Sequence, residues 1–394
     1  MTILLSALTR YHVFDLALQL QRRGVLERVV SAYPAFALGQ FAALAPSLHS
    51  LGRFAAARKG ALSMERVLGP AACSPLHHLV YRRFARAVAA VARRSPARVV
   101  YGLSGYMLEV LEQERPRAQL AVVDHGSLHI GTERAILDAE CARFGFRPFG
   151  NWQYDWLVRR MEREFALADR VVCCSELART SMIEHGVPAP KIAVHRLGVD
   201  LRAFTPRPAG AARKGPLRLL FVGAITPLKG VHYLLEAFRQ LDGDTELWLV
   251  GAAATDPVLQ ELLAACSAAT GRVRLIGPVA QASLRDIYHQ CDLFVLPSLS
   301  DGWAMVVSQA LACALPVVVS DMTGAKELVV HGVNGYVTRS GDAADLADKL
   351  ALALARCRAG GWDRGAAGAP GSVMELSWDD YGNGWMRWLR QLGV

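Results

Sequence analysis

The sequence predicts an α/β protein of two domains, each built on a parallel sheet. Apolar strand-like runs alternate with segments of helical apolar spacing, first over residues 1–200 and again after residue 216. Between the two series lies LRAFTPRPAGAARKGP (201–216), whose Pro, Gly and charged residues are typical of a linker. Alternating strands and helices form parallel sheets covered on both faces, and 394 residues are enough for two such domains.

The first half contains six predicted strands, and the segments between them include three with clear helical spacing. In sheets of this kind ligands bind at the carboxyl ends of the strands, so the loops that follow the strands are the candidate sites. The predicted strands are 2–5, 28–32, 98–101, 119–124, 170–174 and 192–196, and the helical segments are 13–23, 76–94 and 156–168.

The second half repeats the pattern and ends in an amphipathic helix. Its predicted strands are 217–222, 246–250, 273–276, 293–296 and 317–320. In the closing SWDDYGNGWMRWLRQL, Trp385, Trp388 and Leu389 are the expected packing residues. We place the domains at 1–204 and 205–377, and we expect the helix over 378–394 to cross back to the first domain.

The net charge of +9 belongs to the first half, because residues 1–200 hold 26 Lys and Arg against 17 Asp and Glu, whereas the second half holds 18 of each. Residues 53–98 alone contain ten basic residues and one acid, Glu65. Such a stretch suits peripheral contact with an anionic membrane surface, an anionic acceptor or nucleic acid. A pair of Arg-rich surface helices is the simpler alternative. Nucleic acid is the least favoured partner, since the stretch lacks the interleaved exposed aromatic residues expected of a stacking platform.

The cysteines and the termini indicate a cytoplasmic protein. The eight cysteines are scattered without a C-x-x-C pair, which favours reduced thiols and gives no zinc-site spacing. No apolar run approaches the ~20 residues that span a bilayer. The N-terminus MTILLSALTR resembles a first strand rather than a leader peptide.

The strongest site signal is LPSLSDGWAMVVSQALACALPVVVSDMTG (296–324), a strand, loop, helix and strand. Asp301 and Gly302 fall where the helix should start, and a helix N-terminus favours an anion. Asp301 and Gln309 are about 80° apart around a helix, so both are able to face one edge of a ligand. An N-capping Asp and a solvated Gln are the alternative interpretation.

Two further loops carry candidate residues. GAITPLKG places Lys229, between Gly223 and Gly230, at a helix start, where a lysine is unfavourable unless an anion binds to both. An exposed lysine without a partner is the alternative. DHGSLHIG carries His125 and His129 at a strand end, where an imidazole is able to act as an acceptor or general base, although loop histidines are often packing residues. The loop SALTRYH lacks G-x-G-x-x-G, which argues against a dinucleotide dehydrogenase.

These segments resemble the family-4 retaining glycosyltransferases, the group-1 enzymes with the GT-B fold. The resemblance covers about residues 119–340 and rests on these stretches: ADRVVCCSELARTSMIEHGVPAPKIAVHRLGVDLRAF, VGAITPLKGVHYLLEAFRQL, RVRLIGPV and DLFVLPSLSDGWAMVVSQALACALPVVVSDMTGAKELVVHGVNGYV. It implies two Rossmann-like domains facing each other across a cleft. The second would hold a nucleotide-diphosphate sugar and the first an acceptor with a hydroxyl group, and transfer would need no metal and no other cofactor.

The resemblance also implies a role for each candidate residue. Lys229 and Gly223 would lie at the donor diphosphate, and the main chain of Gly302, Trp303, Ala304 and Met305 would contact phosphate and sugar. Asp301 would bind sugar hydroxyls, Gln309 the ribose, and Val279 would lie at the loop for the base. His125 or His129 would stand near the anomeric carbon.

The sequence departs from the family pattern at four positions. Ala224 stands in place of the usual diphosphate arginine, Asp301 is shorter than the usual acid, Gln309 is neutral, and Ala314 replaces a glycine. Either another basic residue enters the cleft from the first domain, or donor affinity is low, or the protein is a degenerate relative. The alternatives to a transferase are therefore a non-catalytic GT-B scaffold and, less favoured, a sugar-nucleotide epimerase.

Overall fold

The protein folds into two parallel α/β sheets, as predicted. A computed structural model describes residues 1–113, 118–147, 154–207, 215–241, 244–362 and 373–394. The first sheet has seven strands in the order β3-β2-β1-β4-β5-β6-β7, and the second has six in the order β10-β9-β8-β11-β12-β13. Every strand pairing recorded for these sheets is parallel.

The strands are short and mostly buried on both faces, as expected for sheets covered by helices. Those of the first sheet are β1 Ile3–Ala7, β2 Leu26–Ser31, β3 Leu48–Ser50, β4 Val99–Leu103, β5 Leu120–Asp124, β6 Arg170–Cys173 and β7 Ile192–Val194. Those of the second are β8 Leu217–Val222, β9 Thr245–Val250, β10 Val273–Gly277, β11 Leu293–Leu296, β12 Val317–Ser320 and β13 Gly335–Thr338.

The helices lie between successive strands, apart from the last two, which follow β13. In the first domain they are α1 Val13–Arg22, α2 Arg53–Leu68, α3 Pro70–Arg94, α4 Leu108–Leu111, α5 Ile130–Phe144, α6 Asp155–Leu167 and α7 Glu176–Glu184. The others are α8 Val231–Arg239, α9 Pro257–Thr270, α10 Gln281–His289, α11 Met305–Ala312, α12 Ala343–Arg358 and α13 Trp378–Gln391. Within the described ranges every helix is too short or too polar to cross a bilayer.

Two strands were not predicted. β3 has only three residues, LHS, and β13 has four, GYVT, beginning at a glycine, so neither gives an apolar run that stands out in the sequence. Both lie at sheet edges, where strands are often short.

The C-terminal helix α13 lies on the first domain, against α1. A capping box between Ser377 and Asp380 starts it. Arg23, directly after α1, donates to the Asn383 side chain at 2.7 Å, and the ring of Trp385 lies 5.4 Å from that of Tyr101 on β4. The chain therefore returns to the first domain after completing the second.

The connection between the sheets passes close to the predicted boundary at 204/205. Phe204 already packs on Tyr288 of the second domain, with ring centroids 6.0 Å apart, and Thr205 O accepts a hydrogen bond from His289. The predicted linker 201–216 is described only at 201–207 and 215–216, and its centre lies outside the described residues.

Direct contacts join the two domains. Glu140 of α5 binds the side chains of His232, at 2.8 Å, and Tyr233, at 2.9 Å, on α8. Glu327 of the second domain accepts the N–H of Glu176, the first residue of α7, at 2.7 Å. A carboxylate at that helix end is electrostatically favourable. Residues at the carboxyl ends of strands in both sheets, among them Asp124 of β5 and Val222 of β8, line one shared cleft.

Candidate functional site

A cavity of about 1250 Å³ lies between the domains and takes residues from both of them. The first domain contributes the loop after β1, the ends of β4 and β5, and the start of α5. The second contributes the loop after β8, the start of α10, and the turn before α11. The charged or titratable residues that line the cavity are Arg10, His12, Asp15, Arg22, Asp124, Glu133, Asp200, Arg202, Lys229, Arg285, Asp301 and Asp379.

Lys229 and Asp301 form an ion pair on the second-domain wall of the cavity. The distance from Lys229 Nζ to Asp301 Oδ2 is 2.5 Å, and the two side chains are 25% and 17% exposed. The backbone places Lys229 in a short turn before α8, and Gly230 follows it at φ 67°. A Cβ at Gly230 would come within 1.9 Å of Pro297 O, so only glycine fits between the two loops. The pair holds the Lys229 ammonium at the cavity wall, and its contact with a donor diphosphate stays a prediction.

The N-terminus of α11 lies on the same wall. Trp303, Ala304 and Met305 line the cavity, as does Gly223 after β8. Ala304 has φ 60° and precedes the first helical residue, Met305. The first N–H groups of a helix lack intrahelical partners, and the helix dipole adds positive potential there. The N–H of Trp303 donates a hydrogen bond of 3.3 Å to Asp301 Oδ1. The wall thus combines a cation with a helix N-terminus, a combination suited to an anion.

Gly302 lies at a close contact between the two domains. A Cβ at this position would lie 2.3 Å from Gly126 O and 2.7 Å from the Cα of Ser127, both in the β5–α5 loop of the first domain. Gly302 is not among the residues that line the cavity. Its missing side chain lets the two loops touch.

Gln309 and Val279 lie away from the cavity lining. Gln309 is 5% exposed, and its Oε1 accepts a hydrogen bond of 3.1 Å from Tyr288 OH. Val279 packs partly buried against the core. The structure therefore brings Lys229 and Asp301 together but does not place Gln309 beside Asp301, and the ribose and base roles of Gln309 and Val279 stay predictions.

His125 and His129 also lie behind the cavity wall. His125 Nδ1 is 2.7 Å from Ser104 Oγ, and its Nε2 is 2.7 Å from Leu128 O. His129 caps α5 through its Nδ1 and stacks on His185. Burial lowers the pKa of both, that of His129 to about 3 with a contribution from the His185 charge. Both rings therefore have structural partners, and their catalytic role stays a prediction.

Glu133, at the start of α5, is a site residue that the sequence did not suggest. It is 6% exposed and accepts hydrogen bonds from Ser127 Oγ and, across the cleft at 2.9 Å, from Ser300 Oγ. Burial raises the pKa of Glu133, although the two serines and the charge of Lys229 oppose the shift. A lone Glu in a helix gives no signal in sequence, since its position depends on how the domains meet.

His12 is the second residue missed from sequence. It directly precedes the first residue of α1 and lines the cavity, and its Nε2 lies 2.8 Å from Asp124 Oδ2 at the end of β5. A signal existed, because His12 lies in the loop after one predicted strand and Asp124 is the last residue of another. Their pairing depends on the sheet order, in which only β4 separates β1 from β5.

Basic residues from the first domain also enter the cleft. Arg10 lines the cavity and lies over the ring of Phe41, 4.7 Å from its centroid. On the second-domain side Arg285 lines it as well, whereas Ala224 does not. The described residues contain no group of three or more His, Cys, Asp or Glu side chains arranged to hold a metal ion.

Two parallel-sheet domains with a shared cleft are the architecture of the GT-B glycosyltransferases, and similarity to solved structures agrees. The Anabaena protein HepE, solved with UDP, matches with a TM-score of 0.70 at 19% identity over 99% of this chain and 100% of that one. Sucrose-phosphate synthase from Thermosynechococcus elongatus matches with a TM-score of 0.71 at 17% identity over 100% and 99%. At these identities the likeness shows the GT-B fold.

Sequence comparison gives the family. The family model described as Glycosyltransferase Family 4 matches residues 10–203, and that described as Glycosyl transferases group 1 matches residues 216–356. The chain belongs to these glycosyltransferases.

Individual relatives agree with this family. A D-inositol 3-phosphate glycosyltransferase of Xylanimonas cellulosilytica is 30% identical over 56% of each chain, and the amylovoran biosynthesis glycosyltransferase AmsK of Erwinia amylovora is 32% identical over 47% of each. The chain spans about half the length of the curated relatives that it matches.

Proposed function

We propose that this protein transfers a sugar from a nucleotide-diphosphate donor to a hydroxyl of a glycan, lipid-linked or small-molecule acceptor, with retention at the anomeric carbon. The observation that carries the proposal is the cavity wall on which Lys229 and the N-terminus of α11 lie together. Leaving-group charge develops on the diphosphate during transfer, and preorganised cations and N–H groups stabilise it. The family assignment supports the same chemistry.

The donor side is the second domain. Lys229 and the backbone at Ala304 and Met305 would bind the diphosphate, and no metal is required where these groups supply the positive potential. Asp301 holds the Lys229 ammonium in place and would also bind sugar hydroxyls. HepE was solved with UDP and with UDP-glucose, which supports uridine nucleotides as the first donors to test.

The test is a panel of nucleotide sugars assayed for binding by calorimetry and for sugar release. Loss of the Lys229 ammonium in Lys229→Ala should remove a charge-assisted contact of about 1.5–3 kcal/mol and weaken nucleoside diphosphate binding roughly 10- to 150-fold. Lys349→Ala is the matched control, because Lys349 lies on α12 with Asp345 as its partner, outside the cavity lining. If no donor binds or reacts, or if Lys229→Ala behaves as the wild type, the proposal fails.

The same panel separates the alternatives. A scaffold protein would give no saturable heat with nucleoside diphosphates, and an epimerase would release an altered nucleotide sugar without needing an acceptor. Retention is tested by the NMR coupling constant of the anomeric proton in the product, and a product of opposite configuration to the donor would contradict it.

We also propose a cytoplasmic protein that contacts an anionic membrane surface through residues 53–98. Helices α2 and α3 carry nine of the ten basic residues, and α2 also has exposed apolar side chains, with Val67 83% and Leu68 58% exposed. Basic and apolar groups on one surface favour anionic headgroups. The check is sedimentation with anionic and neutral liposomes at low and high salt, and indifference to lipid charge would refute this contact.

A further inference from the structure

Glu133 places a buried carboxylate of the first domain close to the Lys229–Asp301 pair of the second. It lies in the first turn of α5 and is 6% exposed, although it lines the cavity. Its Oε1 accepts a hydrogen bond from Ser127 Oγ of its own domain and one of 2.9 Å from Ser300 Oγ across the cleft. Ser300 directly precedes Asp301 in the chain. The carboxylate is therefore held beside the residues that we expect to bind the donor.

The hydrogen bonds leave one oxygen of this carboxylate available. Both serine hydroxyls donate to Oε1, and within the described residues no donor contacts Oε2. Oε2 is also not one of the buried side-chain atoms that lack a partner, so it faces the cavity rather than being enclosed by protein. An ionised carboxylate accepts hydrogen bonds on both oxygens. Oε2 is thus free to accept one from a ligand.

The charges around Glu133 indicate what kind of ligand group fits. Burial raises the pKa of Glu133, and the charge of Asp301 acts in the same direction, whereas the two serine hydroxyls and the charge of Lys229 oppose the shift. Lys229 is already paired with Asp301, so the ammonium does not satisfy Oε2. A poorly solvated carboxylate oxygen gains most from a donor that fills its open side. A hydroxyl group of a ligand is such a donor.

The donor sugar is the part of the ligand expected to reach Oε2. With the diphosphate on Lys229 and the N-terminus of α11, the sugar attached to it must lie in the adjoining part of the cavity. Asp301 borders that space from the second domain and Glu133 from the first. A sugar there would be contacted from both domains at once.

We propose that Glu133 determines donor specificity by accepting, through Oε2, a hydrogen bond from a hydroxyl of the donor sugar, while Ser127 and Ser300 hold the carboxylate in position. This inference rests on the proposed function. A free nucleoside diphosphate has no sugar at this place and therefore makes no contact with Glu133. The residue thus favours the intact donor over the nucleotide product in the closed cleft.

The test is calorimetric binding without acceptor. The ligands are the nucleotide sugar of the panel that binds best, its nucleoside diphosphate, and its deoxy analogues that each lack one sugar hydroxyl. In the wild type one analogue should bind about 10- to 150-fold more weakly than the parent donor, because a charge-assisted hydrogen bond is lost. In Glu133→Ala the parent donor should lose that same factor, and the analogue should bind as well as the parent. Affinity for the nucleoside diphosphate should be equal in both proteins.

Glu133→Gln supplies an independent measurement if the alanine variant does not fold. Glutamine keeps an oxygen for the two serines but removes the charge. The penalty for the critical analogue should therefore shrink at least about threefold, because charge-assisted hydrogen bonds are roughly twice as strong as neutral ones. Asp138→Ala is the matched control. Asp138 lies on the same helix with its side chain 74% exposed, is paired with Arg134 outside the cavity lining, and should retain the full penalty.

Three results would overturn the proposal. The first is a wild-type protein that binds every deoxy analogue as tightly as the parent donor. The second is a Glu133 variant that keeps the full penalty. The third is a Glu133 variant that loses affinity for the donor and for the nucleoside diphosphate equally, as expected if the residue only joins the domains. A wild-type protein that binds no nucleotide sugar would instead refute the proposed function itself, and the role of Glu133 with it.

Discussion

Gly302→Ala should impair turnover by holding the two domains apart while leaving each domain folded. The new Cβ would lie 2.3 Å from Gly126 O and 2.7 Å from the Cα of Ser127. Carbon atoms approach such partners favourably only at roughly 3.3–4 Å, so the loops must separate by about 1 Å. All the clashing atoms are backbone of the other domain, so no rotamer change relieves them.

The expected cost follows from overpacking. Extra methyl groups in tight contacts cost about 1–3 kcal/mol, and a cost that falls on the closed arrangement reduces its population by about 5- to 150-fold. The rate of sugar release from the best donor should decrease by a factor in that range. The Tm should change little, because the clash lies between the domains. Steady-state kinetics and calorimetry on the same preparation measure both quantities.

Gly60→Ala provides the control. Gly60 lies in the middle of α2 with no atom within 4 Å of an added Cβ, so alanine there should leave activity unchanged and stabilise the helix by about 0.5–1 kcal/mol. If Gly302→Ala turns over donor at the wild-type rate, the contact between the Gly302 and Gly126 loops is not part of the active arrangement. If its Tm falls sharply, the clash acts within a domain instead.

Two further predictions concern stability. Ala304 and Ala314 are the only non-glycine residues with positive φ in the described part of the chain. Because Ala314 has φ 54°, Ala314→Gly should raise the free energy of unfolding by about 1 kcal/mol, whereas Ala310→Gly inside α11 should lower it. Urea unfolding measures both changes, and a destabilised Ala314→Gly protein would contradict the expected strain. His195, stacked on Trp385 at 4.6 Å, has its pKa lowered to about 4 by burial, with Asp124 opposing the shift. The unfolded chain therefore binds more protons between about pH 6.5 and pH 4, so stability should be lost as the pH falls through that window, by up to about 1.4 kcal/mol per unit. His195→Phe should show a smaller loss between pH 7 and pH 5, and an identical loss in both proteins would contradict the assignment.

Much of the fold followed from the sequence because local patterns report local structure. Strands β8, β11 and β12 begin and end at the predicted residues, since long apolar runs between turn residues leave little choice of boundary. The edge strands β3 and β13 were not predicted because neither has an apolar run of its own. Each is defined by its hydrogen bonds to a neighbouring strand. Lys229 and α11 both line the cavity because they lie in the segments after β8 and β11, which are neighbouring parallel strands.

Only the tertiary structure decided which polar groups meet. The sequence by itself determined two parallel-sheet domains, a cation and a helix start at strand ends, and the resemblance to a glycosyltransferase family. It offered His125 as a candidate because that residue follows a strand, but the fold turns its ring to Ser104 and Leu128. The pair His12–Asp124 spans 112 residues, and the contact between Glu133 and Ser300 spans 167. Such distances in the chain carry no periodic signal, because sheet order and domain closure, rather than local spacing, bring the side chains together.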